Sequence, residues 1–245
     1  MTIRVAMWSG PRNISTAMMR SFGARADCAV SDEPFYGAYL KDSGEPQPMA
    51  QQIIADMDCD WESIANMMRG PAPDGAPIWY QKHMPHHMIG DITIRDFPDH
   101  KHAFLIREPE RVIASYAVKR VEVKFDDLRY DRQLEYFEWA KDNSGEIPAI
   151  IESTAFLCNP EVHLKLLCAR LGIPWDSSML QWQAGILPTD GIWATHWYDK
   201  VMASTGFGPP PGPKPVLQGQ AAKLADECRP YFEAMQKFAL TPQEL

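Results

Sequence analysis

Short apolar runs separated by amphipathic stretches set the rhythm of this chain. Residues 2–8, 27–31, 77–82, 102–106 and 147–151 read as strands. Residues 14–24, 51–57, 60–69, 109–122, 130–142, 160–171 and 216–237 carry helical periodicity. Strands apolar along their length, set between amphipathic helices, belong to sheets covered on both faces. The expected fold is α/β, with a mostly parallel central sheet flanked by helices. In such sheets ligands bind beyond the carboxyl ends of the strands, so the residues just after each strand are where chemistry is sought. Two regions break the rhythm. Residues 43–77 carry Pro46, Pro48, Pro71, Pro73 and Pro77 and read as a surface excursion with short helices. Residues 183–215 carry Trp193, Trp197, Tyr198 and Phe207, then a Gly-Pro-rich run from Gly208 to Lys214. Those aromatics either line a ligand pocket or lid, or plug the core under a long loop.

The first strand–helix junction carries the strongest signal. The run Ile3 to Trp8 meets Ser9-Gly10-Pro11-Arg12-Asn13, and a helix-like run follows from Ile14. A strand, a tight turn and a helix N-terminus make a phosphate cradle, because free N–H groups and the positive helix end point into the turn. Arg12 is the one cation of this loop, and Ser15 and Thr16 sit where hydroxyls reach a phosphate. The nucleotide-hydrolase signature G-x-x-x-x-G-K-[ST] is absent. An ordinary β–α turn is the plainer alternative.

Two further junctions carry charge. After Ile78-Trp79-Tyr80 comes Gln81-Lys82-His83-Met84-Pro85-His86-His87. The histidine offsets, interrupted by Pro85 and lacking a carboxylate or cysteine, do not suit a metal, so none is expected. His86 and His87 read as solvated loop residues. Lys82 and His83 end a strand, where a histidine can act as a general base and a lysine can stabilise charge on a transferring group. After His102 to Ile106 comes Arg107, then Pro109 opening a helix that carries Ser115 about two turns in. Arg107 suits a phosphate through its forked donors, or else pairs with Glu108 or Glu110.

Composition narrows the partners. The chain has 245 residues, 45% hydrophobic and 23% charged, which suits one globular domain over 1–245. Its net charge is −8, with no basic stripe, so no nucleic-acid partner is expected. No apolar run approaches the roughly 18 residues of a membrane span, and the N-terminal residues lack a signal-peptide layout. The five cysteines, Cys28, Cys59, Cys158, Cys168 and Cys228, form no C-x-x-C pair and read as buried reduced thiols of a cytoplasmic protein. An anionic small molecule remains compatible, held by a few local cations.

These motifs together resemble those of the sulfotransferase family, which uses 3′-phosphoadenosine 5′-phosphosulfate (PAPS). Ser9 to Thr16 resembles the family's loop for the 5′-phosphosulfate, with Arg12 at its usual lysine or arginine. Arg107 and Ser115, eight positions apart and followed by Tyr116, resemble the 3′-phosphate motif. Lys82-His83-Met84-Pro85 resembles a lysine-threonine-histidine-leucine-proline stretch with one residue lost, and Ala149 to Glu152 and Leu167 to Pro174 resemble the strand and helix that follow. The C-terminal glycine-rich motif is not clearly present. The resemblance implies a three-layer P-loop-like fold and transfer of a sulfuryl group from PAPS to a hydroxyl or amine of a small-molecule acceptor. Gly10, Pro11, Arg12, Asn13, Ile14, Ser15 and Thr16 would hold the 5′ end, and Arg107 and Ser115 the 3′-phosphate. Arg12 and Lys82 would assist the transfer, and His83 or Glu33 would be the base. Two rivals remain: a kinase or hydrolase using ATP and magnesium, and a non-catalytic nucleotide-binding module. The sequence assigns neither the acceptor nor an oligomeric state.

Overall fold

The computed structural model describes residues 2–120 and 122–244, apart from the side chain of Glu244. Met1, Val121 and Leu245 lie outside the described residues, and with them both expected domain ends and one position of the helix expected over 109–122. Five strands, β1 (Ile3–Ser9), β2 (Cys28–Asp32), β3 (Ile78–His83), β4 (Lys101–Ile106) and β5 (Ala149–Glu152), form one sheet in the order β2-β3-β1-β4-β5. Every pairing is parallel. The helices are α1 (Ser15–Gly23), α2 (Tyr36–Ser43), α3 (Ala50–Asp56), α4 (Trp61–Arg69), α5 (Pro109–Ala117), α6 (Phe125–Leu128), α7 (Tyr130–Ser144), α8 (Ser153–Cys158), α9 (Pro160–Leu171), α10 (Ala194–Trp197), α11 (Asp199–Met202) and α12 (Gly219–Gln236).

All five expected strands are present to within two residues; β1, β3, β4 and β5 are mostly buried, and the edge strand β2 is half-buried except at Asp32. On one face Trp8, Trp79, Phe104 and Ile150 pack against α4, α5, α7 and α12. On the other, Val5, Met7, Tyr80, Leu105 and Ile151 pack against α1, α8 and α9. The fold is therefore a three-layer α/β sandwich with a P-loop-like order. The helix expected over 109–122 stops at Ala117, with Val118 as its cap. Short α2, α6, α8, α10 and α11 carry too few turns to show a period. One of them, α8, begins directly after β5 because Glu152 accepts from the N–H groups of Thr154 (2.9 Å) and Ala155 (2.7 Å). Helix α9 stops at Gly172, whose φ of 71° is the left-handed cap that lets Gly172 N–H and Ile173 N–H bond the carbonyls of Ala169 and Cys168. Only Cys168 and Cys228 are buried; Cys158 is exposed and the other two are half-buried, so the thiols are free but not uniformly interior.

The strand order places the ligand crevice. From β1 the chain turns toward β2, whereas from β4 it proceeds to β5 on the opposite side. The carboxyl ends of neighbouring β1 and β4 therefore flank a topological switch point.

Buried histidines fix how this fold answers to acid. Burial pushes His102 down to about 3 and His100 down to about 4. The unfolded chain titrates both near 6.5. Folded pKa values below unfolded ones mean that stability is fully present above about pH 6.5 and is lost as pH falls toward the folded values. Urea titrations between pH 7 and pH 5, above the carboxylate range, should show these two residues costing about 2 kcal/mol each. A midpoint flat over that interval would contradict the assignment.

Candidate functional site

The β1–α1 junction forms an uncapped helix end. Gly10 does not supply the left-handed residue of the turn; Arg12 does, at φ 56°. Ile14 stands at the cap position and offers no side-chain acceptor to the first turn of α1. The first-turn N–H groups, which lack intrahelical partners, are thus left for a ligand. Asn13 is buried, and its Oδ1 has no hydrogen-bond partner among the described residues.

The switch point brings the two candidate phosphate segments into contact. Arg12 Nε donates to Ser115 Oγ at 3.2 Å, and Arg107 Nη1 donates to the Arg12 carbonyl at 2.6 Å. Tyr130 OH donates to the Arg107 carbonyl at 2.7 Å and fixes the end of β4. Neither guanidinium meets a carboxylate among the described residues. Glu108 instead pairs with Arg111 and Lys214, and Glu110 with Arg229. Burial lowers both Arg12 and Arg107 below the ordinary guanidinium range, and Arg107 is lowered further by Arg111 and Arg12. Both remain cations at neutral pH. Two half-buried cations without counter-ions favour an anion between them.

Across β1 the edge of the sheet carries a compensated cluster. The β2–β3 register pairs Asp32 with Lys82, so both side chains share one face. Glu33 follows in a left-handed conformation (φ 46°), with its N–H bonded to the Lys82 carbonyl at 3.1 Å. Lys82 Nζ reaches Asp32 Oδ1 at 2.8 Å, Glu33 Oε1 at 2.6 Å, Tyr198 OH at 2.6 Å and Thr16 Oγ1 at 3.4 Å. Burial alone would lower the lysine, but Asp32 and Glu33 hold it well above its ordinary range. It is therefore charged while buried, and one ammonium joins the start of α1 to Glu33.

His83 takes the other direction. Side chains alternate across a strand, so the residue after Lys82 faces the opposite core. There its ring stacks on Trp8 at 4.7 Å, its Nε2 meets Gln81 Oε1 at 3.3 Å, and burial drives its pKa well below the ordinary value. Its side chain is not brought to the cavity. Of the two histidines expected in solvent, His86 is half-buried and His87 is buried. His87 is buried between Tyr36 (4.5 Å) and Tyr39 (4.8 Å), with Nδ1 3.9 Å from Glu33 Oε2. The polar letters of that turn suggested solvent, but the aromatic residues of α2 cover it.

One cavity of about 790 Å³ joins these parts. Pro11, Arg12, Asn13, Ile14, Ser15, Thr16, Glu33, Lys82, Arg107 and Ser115 line it, whereas Gly10 and His83 do not. The segment 183–207 settles between its two expected roles. Trp193 and Tyr198 pack with Tyr36, Tyr39 and Ile53 and also wall the cavity, joined there by Trp197 and Phe207. Asp32 and Tyr198 escaped the sequence reading as polar participants. The register pairing of Asp32 with Lys82 was not readable, and Tyr198 arrives from 116 positions beyond Lys82.

Comparison with known proteins agrees with this fold. The family model described as "Sulfotransferase domain" matches residues 3–239. Two Arabidopsis thaliana proteins, branched-chain-amino-acid aminotransferase-like proteins 2 and 1, are 32% and 33% identical over 93% and 83% of this chain. The aligned parts are 40% and 36% of those relatives, so the chain spans well under half their length. A sulfotransferase from Alicyclobacillus acidocaldarius superposes with a TM-score of 0.54 at 12% identity, over 97% of this chain and 94% of that one, a likeness of fold. By its sequence match from the first strand to beyond the last helix of the sheet's cover, this chain belongs to the sulfotransferase family.

Proposed function

We propose that this chain transfers a sulfuryl group from PAPS to a hydroxyl or amine of a small-molecule acceptor. The observation that carries the reading is the pair of arginines without a carboxylate partner among the described residues, Arg12 and Arg107, linked through the Arg12 carbonyl, with Ser115 bonded to Arg12, at an uncapped helix end. A donor with a phosphate at each end of its ribose supplies anions for both cations and for the α1 N–H groups. Arg107 and Ser115 are assigned the 3′-phosphate, and Arg12 with the Asn13 to Thr16 turn the 5′ end. When bound, the donor supplies an activated sulfuryl group and leaves as adenosine 3′,5′-bisphosphate. The protein's part is positioning and charge stabilisation, as in phosphoryl transfer.

Glu33 is the proposed base in place of His83. It lines the same cavity, and one ammonium separates it from Thr16, with Lys82 Nζ at 2.6 Å and 3.4 Å from the two side chains. The acceptor proton passes to the Glu33 carboxylate as the acceptor atom bonds sulfur. Tyr36, Trp193 and Trp197 give the remaining wall an aromatic character suited to an apolar or aromatic acceptor. No Walker-type lysine occupies the loop, and Lys82 is neutralised by carboxylates, so the kinase reading lacks its phosphate cation.

Three variants test this. Arg107→Ala should weaken adenosine 3′,5′-bisphosphate by about 10- to 100-fold in calorimetry, the worth of a charge-assisted hydrogen bond left unmade; unchanged affinity would remove the 3′-phosphate assignment. Glu33→Gln should cut turnover by about 10²- to 10⁴-fold while donor-product affinity stays within a few-fold. His83→Gln should keep turnover within a few-fold, and a loss as large as that of Glu33→Gln, in a folded protein, would return the base role to His83.

A further inference from the structure

Glu33 sits against an ammonium, which by itself makes a carboxylate a poor base. A nearby opposite charge favours the ionised form of a carboxyl group, and Lys82 Nζ stands 2.6 Å from Glu33 Oε1. A general base serves best when its proton affinity lies near the working pH. The structure contains a counterweight. We propose that Asp32 is a positioning residue for Glu33: with Tyr198 it takes up the Lys82 ammonium, leaving the Glu33 carboxylate basic enough to receive the acceptor's proton. This inference rests on the sulfuryl-transfer reading, in which Glu33 is the base.

Hydrogen-bond directions around the lysine are forced. Trp193 Nε1–H can only donate, and it meets Tyr198 OH at 3.0 Å. Lys82 can also only donate, and it meets the same oxygen at 2.6 Å. The one proton of Tyr198 therefore goes to Asp32, whose oxygens lie 2.7 and 2.9 Å away. Asp32 accepts from Tyr198, from Lys82 at 2.8 Å and from Gly191 N–H at 3.4 Å. Its side chain is 2% exposed against 11% for Glu33, so its attraction for the ammonium is the less screened of the two.

Glu33 is left with one committed oxygen and one open one. Oε1 takes the bond from Lys82, whereas no hydrogen bond reaches Oε2 among the described residues. That second oxygen faces the ring of His87 at 3.9 Å, whose Nδ1 is itself without a partner. In the transfer step the acceptor O–H proton moves to Oε2 as its oxygen bonds sulfur. The departing 3′,5′-bisphosphate oxygen keeps the electron pair of the broken S–O bond. The groups facing Glu33 are Asp32 on β2, Lys82 on β3, His87 after β3, Tyr36 on α2, Tyr116 on α5 and Tyr198 after α10. Burial raises all three tyrosines and holds His87 well below its ordinary value. The charges that Glu33 feels are thus those of Asp32 and Lys82.

The experiment is a ¹³C NMR titration of protein labelled at the glutamate δ-carboxyl, with the Glu33 signal assigned by Glu33→Gln. Wild type is compared with Asp32→Asn, and the pH profile of kcat/KM for sulfuryl transfer is recorded in parallel. The Glu33 midpoint should fall by about one pH unit or more in Asp32→Asn, since Glu33 becomes the sole counter-ion of Lys82. The acid limb of kcat/KM should move down by the same amount, with adenosine 3′,5′-bisphosphate affinity within twofold of wild type. An unmoved Glu33 midpoint overturns the proposal whatever happens to turnover. Should Asp32→Asn fail to fold, Asp32→Ser removes the same charge from beside Lys82 with a smaller polar side chain and should shift the midpoint in the same direction; no shift there overturns it equally. A wild type that transfers no sulfuryl group, yet shows the shifted midpoint, retires the transfer reading and leaves the pairing of Asp32 with Glu33 intact.

Discussion

Two half-buried guanidinium groups with no carboxylate partner among the described residues define this molecule. Arg12 and Arg107 stand at the carboxyl ends of adjacent parallel strands; the Arg12 carbonyl ties them together, and the Ser115 hydroxyl accepts from Arg12. Placing uncompensated cations out of water costs free energy, which the rest of the sheet must supply through burial on both faces. An anionic ligand repays that cost at the moment it binds. The contrast lies across β1, where Lys82 is more deeply buried yet surrounded by Asp32, Glu33 and Tyr198. One half of the cavity is poised for an anion, and the other is already neutralised.

That asymmetry assigns the roles. A lysine locked between carboxylates is not free to bind a phosphate, but it can hold a base in place. The left-handed backbone at Glu33 (φ 46°) and at Arg12 (φ 56°) falls on two of the charged residues that line the cavity. Strained positions of this kind persist only when the surroundings over-determine them, and here the ladder bond from Glu33 N–H to the Lys82 carbonyl and the Arg107–Arg12 contact do so.

Much of this was legible in the residues. The five strands were readable from their short apolar runs, and Pro109 marked the start of α5. Arg107 and Ser115 could be placed from their spacing alone, as strand end and helix face. What escaped reading depends on contacts distant in sequence. The parity that turns His83 away from the cavity shifts with a single residue of register, and the motif around it is one residue short. His87 looked solvated until the aromatic residues of α2 were seen to enclose it. Tyr198 joins Asp32 from a loop closed by the Gln181–Gly206 bridge, and no local pattern announces such a meeting.

The most direct measurement is calorimetry of the unmodified protein with adenosine 3′,5′-bisphosphate, adenosine 5′-monophosphate, and ATP with magnesium. The account predicts binding of the 3′,5′-bisphosphate, with affinity at least tenfold weaker when the 3′-phosphate is missing and no dependence on magnesium. Binding of ATP with magnesium in preference to the 3′,5′-bisphosphate would contradict it.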